Sequence, residues 1–227
     1  MLSNLVNLFF PDNCPGCGYN FLRGESVICQ RCLNSLPKTN YHQRHDNPVA
    51  KNFWGKANLH AATSVYYFDK GESLQHLLHQ LKYRGNSKIG VVLGQQAAIE
   101  LQLSDEFRCA DVIVPVPLHP KKLLMRGYNQ SEVIAKGISD IWGTPVQPAL
   151  LIRTKHTETQ THKSRFERFE NVKDVFHLDN EEAYAGKHIL IVDDVITTGS
   201  TILSCADTFA TVPHCKISVV SVAVAHR

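Results

Sequence analysis

The sequence predicts an α/β domain built on a mainly parallel sheet, with a small four-cysteine module ahead of it. Three observations carry this. Apolar, β-branched runs at residues 111–116, 188–192 and 216–226 read as buried strands. Amphipathic helical patterns lie between them, and a strand–helix alternation implies parallel pairing with right-handed crossovers. Two CxxC pairs, Cys14/Cys17 and Cys29/Cys32, stand near the start.

The elements follow in order. Cys14 and Cys17 are separated from Cys29 and Cys32 by eleven residues, and Gly16 and Gly18 allow the tight turn that brings the first pair together. Four soft thiolates suit a tetrahedral Zn²⁺, which leaves no open position for water, so a structural metal is expected. The separation is shorter than the usual zinc-ribbon spacing. This module is assigned to residues 1–40. Residues 41–62 show neither helical nor alternating periodicity and read as a linker, with His42 and His45 exposed on it.

The domain of residues 63–227 opens with the strand-like TSVYYFD at 63–69. Leu74, Leu77, Leu78 and Leu81 then mark a helix to Tyr83 that stops at Gly85, and a second helix is expected over 87–103. DVIVPVPLHP, residues 111–120, is a strand broken by Pro115 and Pro117. Apolar residues at 133, 134, 138, 141 and 142 give one face of a helix over 129–142. A short extended piece at 149–153 precedes residues 154–174, a stretch with almost no aliphatics that reads as a long polar loop or lid. HILIV at 188–192 is a strand, DDVITTGST a loop, and Ile202, Leu203, Ala206, Phe209 and Ala210 the face of the next helix. KISVVSVAVAH closes the pattern as a strand.

Ligands of parallel sheets bind beyond the carboxyl ends of the strands, where DDVITTGST and PVPLHPKKLLMRGYNQ both lie. Thr197, Thr198, Gly199, Ser200 and Thr201 offer hydroxyls, an open backbone and helix N-terminal amides to a phosphate. Asp193 and Asp194 would repel that phosphate, so their partners should be hydroxyls or a metal on the same ligand. A sugar phosphate satisfies both halves. A Walker-type loop is excluded because no lysine stands here. A phosphorelay receiver is excluded because too little chain follows the acids. The remaining alternative is an ordinary connecting turn rich in Asp, Thr and Gly.

Composition narrows the classes further. A net charge of +3 is too weak to argue nucleic-acid binding by itself. No apolar run reaches the length of a membrane span, and the first residues lack a basic leader and a cleavage signal, so a soluble, cytoplasmic protein is expected.

IVDDVITTGST closely resembles the PRPP motif of type I phosphoribosyltransferases. The order of motifs is similar to that of the ComF family: four cysteines, LKYRG at 81–85, PVPLHPKKLLMRGYNQ at 115–130, Gln160, Arg168, Asn171, Phe176 and IVDDVITTGST. The resemblance spans nearly the whole chain. It implies a type I phosphoribosyltransferase-like fold and, through that family's association with natural competence, a role in taking single-stranded DNA into the cytoplasm with the DNA-uptake machinery. It also implies site roles. Asp193 and Asp194 would hold the ribose hydroxyls of PRPP directly or around Mg²⁺, and residues 197–201 its 5-phosphate. The loop from Pro117 through Lys121, Lys122 and Arg126 to Gly127 would face the pyrophosphate, with Arg126 the strongest candidate. Gln160, Arg165 and Arg168 would belong to the lid. The implied reaction is Mg²⁺-assisted displacement of pyrophosphate from the anomeric carbon by an acceptor that no segment identifies. The alternative is a non-catalytic protein that keeps the PRPP fold and handles single-stranded DNA through KKLLMR, Lys155, Lys163, Arg165 and Arg168, with Tyr83, Tyr128 and Phe166 available for stacking.

Overall fold

A computed structural model of the protein describes residues 13–22, 24–25, 27–69, 72–153 and 176–225. Among these, four parallel strands, β1 (Ala61–Phe68), β2 (Val112–Pro115), β5 (His188–Ile196) and β6 (Lys216–Ala225), form a sheet in the order β1-β6-β5-β2. Successive side chains of a strand point to opposite faces, and the central strands divide accordingly. Leu190, Val192, Val220 and Val222 enter one core, while Ile189, Ile191, Ile217 and Val219 enter another. The strands are therefore buried on both sides, as their largely apolar runs predict.

The first core is covered by α3 (Ser73–Tyr83), α4 (Ser87–Glu100) and α7 (Gln130–Trp142). Leu74, Leu77, Leu78 and Leu81, the stripe seen in the sequence, are all buried. The α4 and α7 helices meet backbone to backbone. A Cβ at Gly94 would lie 2.1 Å from the Ile134 carbonyl oxygen, and one at Gly137 the same distance from that of Val91. Trp142 Nε1 donates to the Ala98 carbonyl 3.1 Å away and closes the far end of this pair. The cysteine module docks on the same layer: Cys14, Cys29 and Cys32, with α1 (Gln30–Ser35), share a core with Leu74 and Leu77.

The second core is covered by α8 (Ser200–Asp207) and by residues expected to form a linker. Within residues 41–62, Val49, Ala50 and Phe53 are packed into this core. Asn47 caps the single turn α2 (Pro48–Lys51), accepting from the Val49 and Ala50 amides at 2.9 and 3.0 Å. Its own amide donates to the Ala62 carbonyl at 2.9 Å, and Val49 and Phe53 are fully buried. Isolated apolar positions on one turn leave no periodicity, which is why the sequence gives no sign of this packing. His42 is half-buried and His45 exposed.

Two further differences bear on the site. Residues 120–126 form a helix, α6 (Pro120–Arg126), where a loop was expected. Pro120 occupies a position at its start that needs no amide donor, His119 accepts from the Lys121 amide at 3.2 Å, and Gly127 ends it with φ 79°. The extended piece at 149–153 contributes β3 (Leu151–Arg153), which pairs antiparallel with β4 (Phe176–Leu178). In that ribbon Arg153 lies opposite Phe176. The short α5 (Asp105–Arg108) leads into β2.

Candidate functional site

β5 does not stop at Val192. β6 continues beside it, with Val195 opposite Ala223 and Ile196 opposite Val224, so the ladder carries Asp193 and Asp194 out on the strand itself instead of in a loop. Adjacent residues on a strand address different surroundings, and each acid has its own partner. Asp193 Oδ1 accepts from Ser131 Oγ, at the start of α7, at 3.0 Å and from the Asp194 amide at 2.8 Å. Asp194 Oδ2 lies 3.0 Å from Lys82 Nζ, near the end of α3. Burial, reinforced by the neighbouring Asp194, pushes the Asp193 carboxyl up to about 7.

The turn after β5 leads directly into α8. Gly199 is the residue before the helix, with φ 79°, and no side chain caps the helix start. The first amides are thus available, apart from that of Ser200, which points to Thr198 Oγ1 at 3.4 Å. Thr197, Thr198, Ser200 and Thr201 are exposed, and Thr198 and Ser200 share a 3.1 Å hydroxyl contact. Gly199 is buried against Phe53 from the packed segment 41–62. The turn combines outward hydroxyls with an aromatic floor.

On the β2 side, Lys82, Tyr83, Gly85, Lys122, Met125 and Arg126 line a cavity of about 470 Å³. Arg126 is half-buried. Its Nη1 donates to Gln130 Oε1, and its guanidinium lies 5.4 Å from the centre of the Tyr83 ring. Tyr128 donates its hydroxyl to the Leu81 carbonyl, tying the end of α3 to the start of α7. Asn129 caps α7 through the Ser131 amide at 3.1 Å. Of the stretch from Pro117 to Gly127, Lys122, Met125 and Arg126 reach this cavity, whereas Lys121 is exposed on the helix surface. Gln160, Arg165 and Arg168, together with Lys155, Lys163 and Phe166, lie outside the described residues.

Sequence reasoning overlooked Ser131, Phe53 and Lys82 as site residues. Lys82 is an ordinary last-turn cation by local pattern; its place in LKYRG is the one signal that could have drawn attention to it.

The four cysteines form the second site. Their sulfurs all lie within 4.8 Å of one another, with Cys14 to Cys32 at 3.8 Å and Cys17 to Cys29 at 3.6 Å. A tetrahedron with Zn–S bonds of about 2.3 Å has sulfur–sulfur edges of about 3.8 Å, so this cluster could hold zinc. The Cys29 amide points at Cys14 Sγ from 3.3 Å. Burial opposes ionisation of Cys14, yet the amides of Cys29, Cys17 and Gly16 outweigh it and bring the thiol down to about 7. Burial pushes Cys32 up; a dication would compensate that cost.

The chain has recognisable relatives among known proteins. Residues 129–227 match the phosphoribosyl transferase domain family. The DNA utilization protein YhgH of Salmonella typhimurium is 31% identical over 196 residues, covering 85% of this chain and 75% of that protein. Competence protein F of Haemophilus influenzae is 28% identical over 212 residues, 86% of this chain and 89% of the relative. Competence protein ComFC of Bacillus subtilis is 28% identical over 144 residues, 61% of this chain and 53% of the relative. Among solved structures, the glutamine PRPP amidotransferase from B. subtilis, complexed with ADP and GMP, aligns with a TM-score of 0.40 and 22% identity, over 61% of this chain and 30% of that one. No helix among the described residues is long and apolar enough to cross a membrane.

Proposed function

Because this chain belongs to the ComF family and carries a phosphoribosyltransferase domain, we propose that it binds PRPP with Mg²⁺ and transfers the phosphoribosyl group, releasing pyrophosphate. The observation that carries the reading is the succession at the end of β5: two acids on the strand, then an uncapped helix start ringed by hydroxyls. Asp193 and Asp194 would take the ribose hydroxyls and residues 197–201 the 5-phosphate. Lys122 and Arg126 face a cavity on the β2 side that suits the diphosphate. Mg²⁺, when bound, neutralises charge on the diphosphate. The protein's own cations act as preorganised electrostatics as that charge grows on the leaving group. The four cysteines would hold Zn²⁺ as a structural metal.

The test is calorimetric titration of PRPP with and without Mg²⁺. The affinity should collapse in Asp193→Asn/Asp194→Asn, and an unchanged affinity would refute the site. Pyrophosphate release across a panel of nucleobases then identifies the acceptor.

A second reading rests on a different observation. Tyr83, Leu124 and Met125 are 65%, 89% and 86% exposed beside Lys122 and Arg126. An aromatic and apolar surface interleaved with cations suits single-stranded DNA, in keeping with the competence and DNA-utilization names of the relatives. Titration of labelled single-stranded DNA at several salt concentrations tests it; no binding at low salt removes it.

A further inference from the structure

We infer that Lys82 is a ligand of the diphosphate arm of PRPP, held on Asp194 until the sugar phosphate enters. The inference rests on the PRPP reading above and adds to it a residue from outside both phosphate-binding stretches.

The geometry is specific. Lys82 Nζ is 3.0 Å from Asp194 Oδ2, and the two side chains are 24% and 14% exposed. The same lysine lines the 470 Å³ cavity with Lys122 and Arg126. One side chain thus faces the acid pair and the cationic cavity together. The end of α3 that carries it is fixed: Leu81 accepts from Tyr128, and Tyr83 lies under Arg126. The backbone stays in place while the four-carbon stem lets the ammonium swing.

Charge balance says when it swings. In the structure Lys82 offsets one of two adjoining carboxylates. Ribose hydroxyls or a dication arriving at Asp194 compete for that oxygen, and a dication also repels the ammonium. A diphosphate in the cavity brings several negative charges to within reach of the same stem. Lys82 then moves from carboxylate to phosphate, with Lys122 and Arg126 on the other walls. No bond is made or broken in this step.

Two ligands separate this role from simple support of the acid pair. PRPP carries the diphosphate; ribose 5-phosphate has the same sugar and 5-phosphate without it. Competition titrations in Mg²⁺ are run on the full chain, with thermal melts confirming that each variant is folded. For Lys82→Met, PRPP affinity is expected to fall roughly tenfold or more, while ribose 5-phosphate, which no longer has to displace the ammonium from Asp194, binds at least as well as it does to the wild type. Lys82→Arg, which keeps a cation, should recover most of the PRPP affinity. Equal losses for both ligands would assign Lys82 to the acid pair alone and overturn the inference, as would PRPP affinity unchanged in Lys82→Met. A wild-type protein that binds no PRPP removes the underlying reading. PRPP binding that survives in wild type and Lys82→Met, yet is lost in Asp193→Asn/Asp194→Asn, removes this inference alone.

Discussion

Gly199 rests on the ring of Phe53: a Cβ at residue 199 would lie 2.8 Å from Phe53 Cε1, and the backbone there has φ 79°. The floor of the candidate phosphate turn is therefore supplied by a residue far away in sequence, from a segment with no visible periodicity. Gly199→Ala meets both the ring and the left-handed backbone. It is expected to cost about 1–3 kcal/mol of stability and to weaken PRPP binding. Phe53→Ala should cost about 3–5 kcal/mol while leaving the turn's hydroxyls chemically intact. Urea denaturation measures both, and a neutral Gly199→Ala would contradict the close approach.

Asp193 links the site to pH. Its carboxyl is raised to about 7 by burial and then by Asp194, so the folded chain keeps a proton that the unfolded chain releases above about pH 4. Stability should fall as pH rises from there to about 7 and remain lower beyond it. Asp193→Asn cannot ionise and keeps an oxygen for Ser131. Its melting temperature should exceed that of the wild type at pH 8, and the gap should narrow steadily toward pH 5. Thermal melts across that range decide the matter, and a constant gap would mean that the acid is already ionised in the fold.

The α4–α7 contact admits no side chain. Gly94→Ala and Gly137→Ala each drive a methyl into a backbone carbonyl 2.1 Å away, which neither helix can relieve by rotating a side chain. Each is expected to cost at least about 3 kcal/mol, beyond the usual range for single overpacking substitutions, or to prevent folding. Denaturation midpoints, or the yield of soluble protein, provide the measurement.

Zinc should prove structural. Purified protein is expected to hold about one zinc per chain by atomic absorption, with four protected thiols that become reactive after chelation. Since Cys14, Cys29 and Cys32 share a core with Leu74 and Leu77 of α3, Cys32→Ser should lose the metal and lower the melting temperature together. Full metal content in that variant would show that Cys32 is not a ligand.

Much of the fold was legible because its signals are local. The leucine stripe of α3, the apolar runs of β5 and β6 and the cysteine spacing each announce themselves within about twenty residues. Their partners were harder to read. Residues 120–126 read as loop because Pro115 and Pro117 end the strand ahead of them, although Pro120 suits the first turn of a helix. The acids were placed in a loop because a charged pair ends an apolar run, whereas β6 extends the ladder past them. Val49 and Phe53 gave no pattern because a single turn has no period to display.

The sequence by itself determined the α/β class, the clustering of four thiols and the pairing of acids with a hydroxyl-rich turn, since all of these depend on residues adjacent along the chain. Only the tertiary structure decided that Ser131 faces Asp193, that Lys82 occupies Asp194 and that Phe53 lies beneath Gly199. Those contacts join separate elements. Their geometry is set by how helices pack on the two faces of a sheet, a relation that no local pattern encodes.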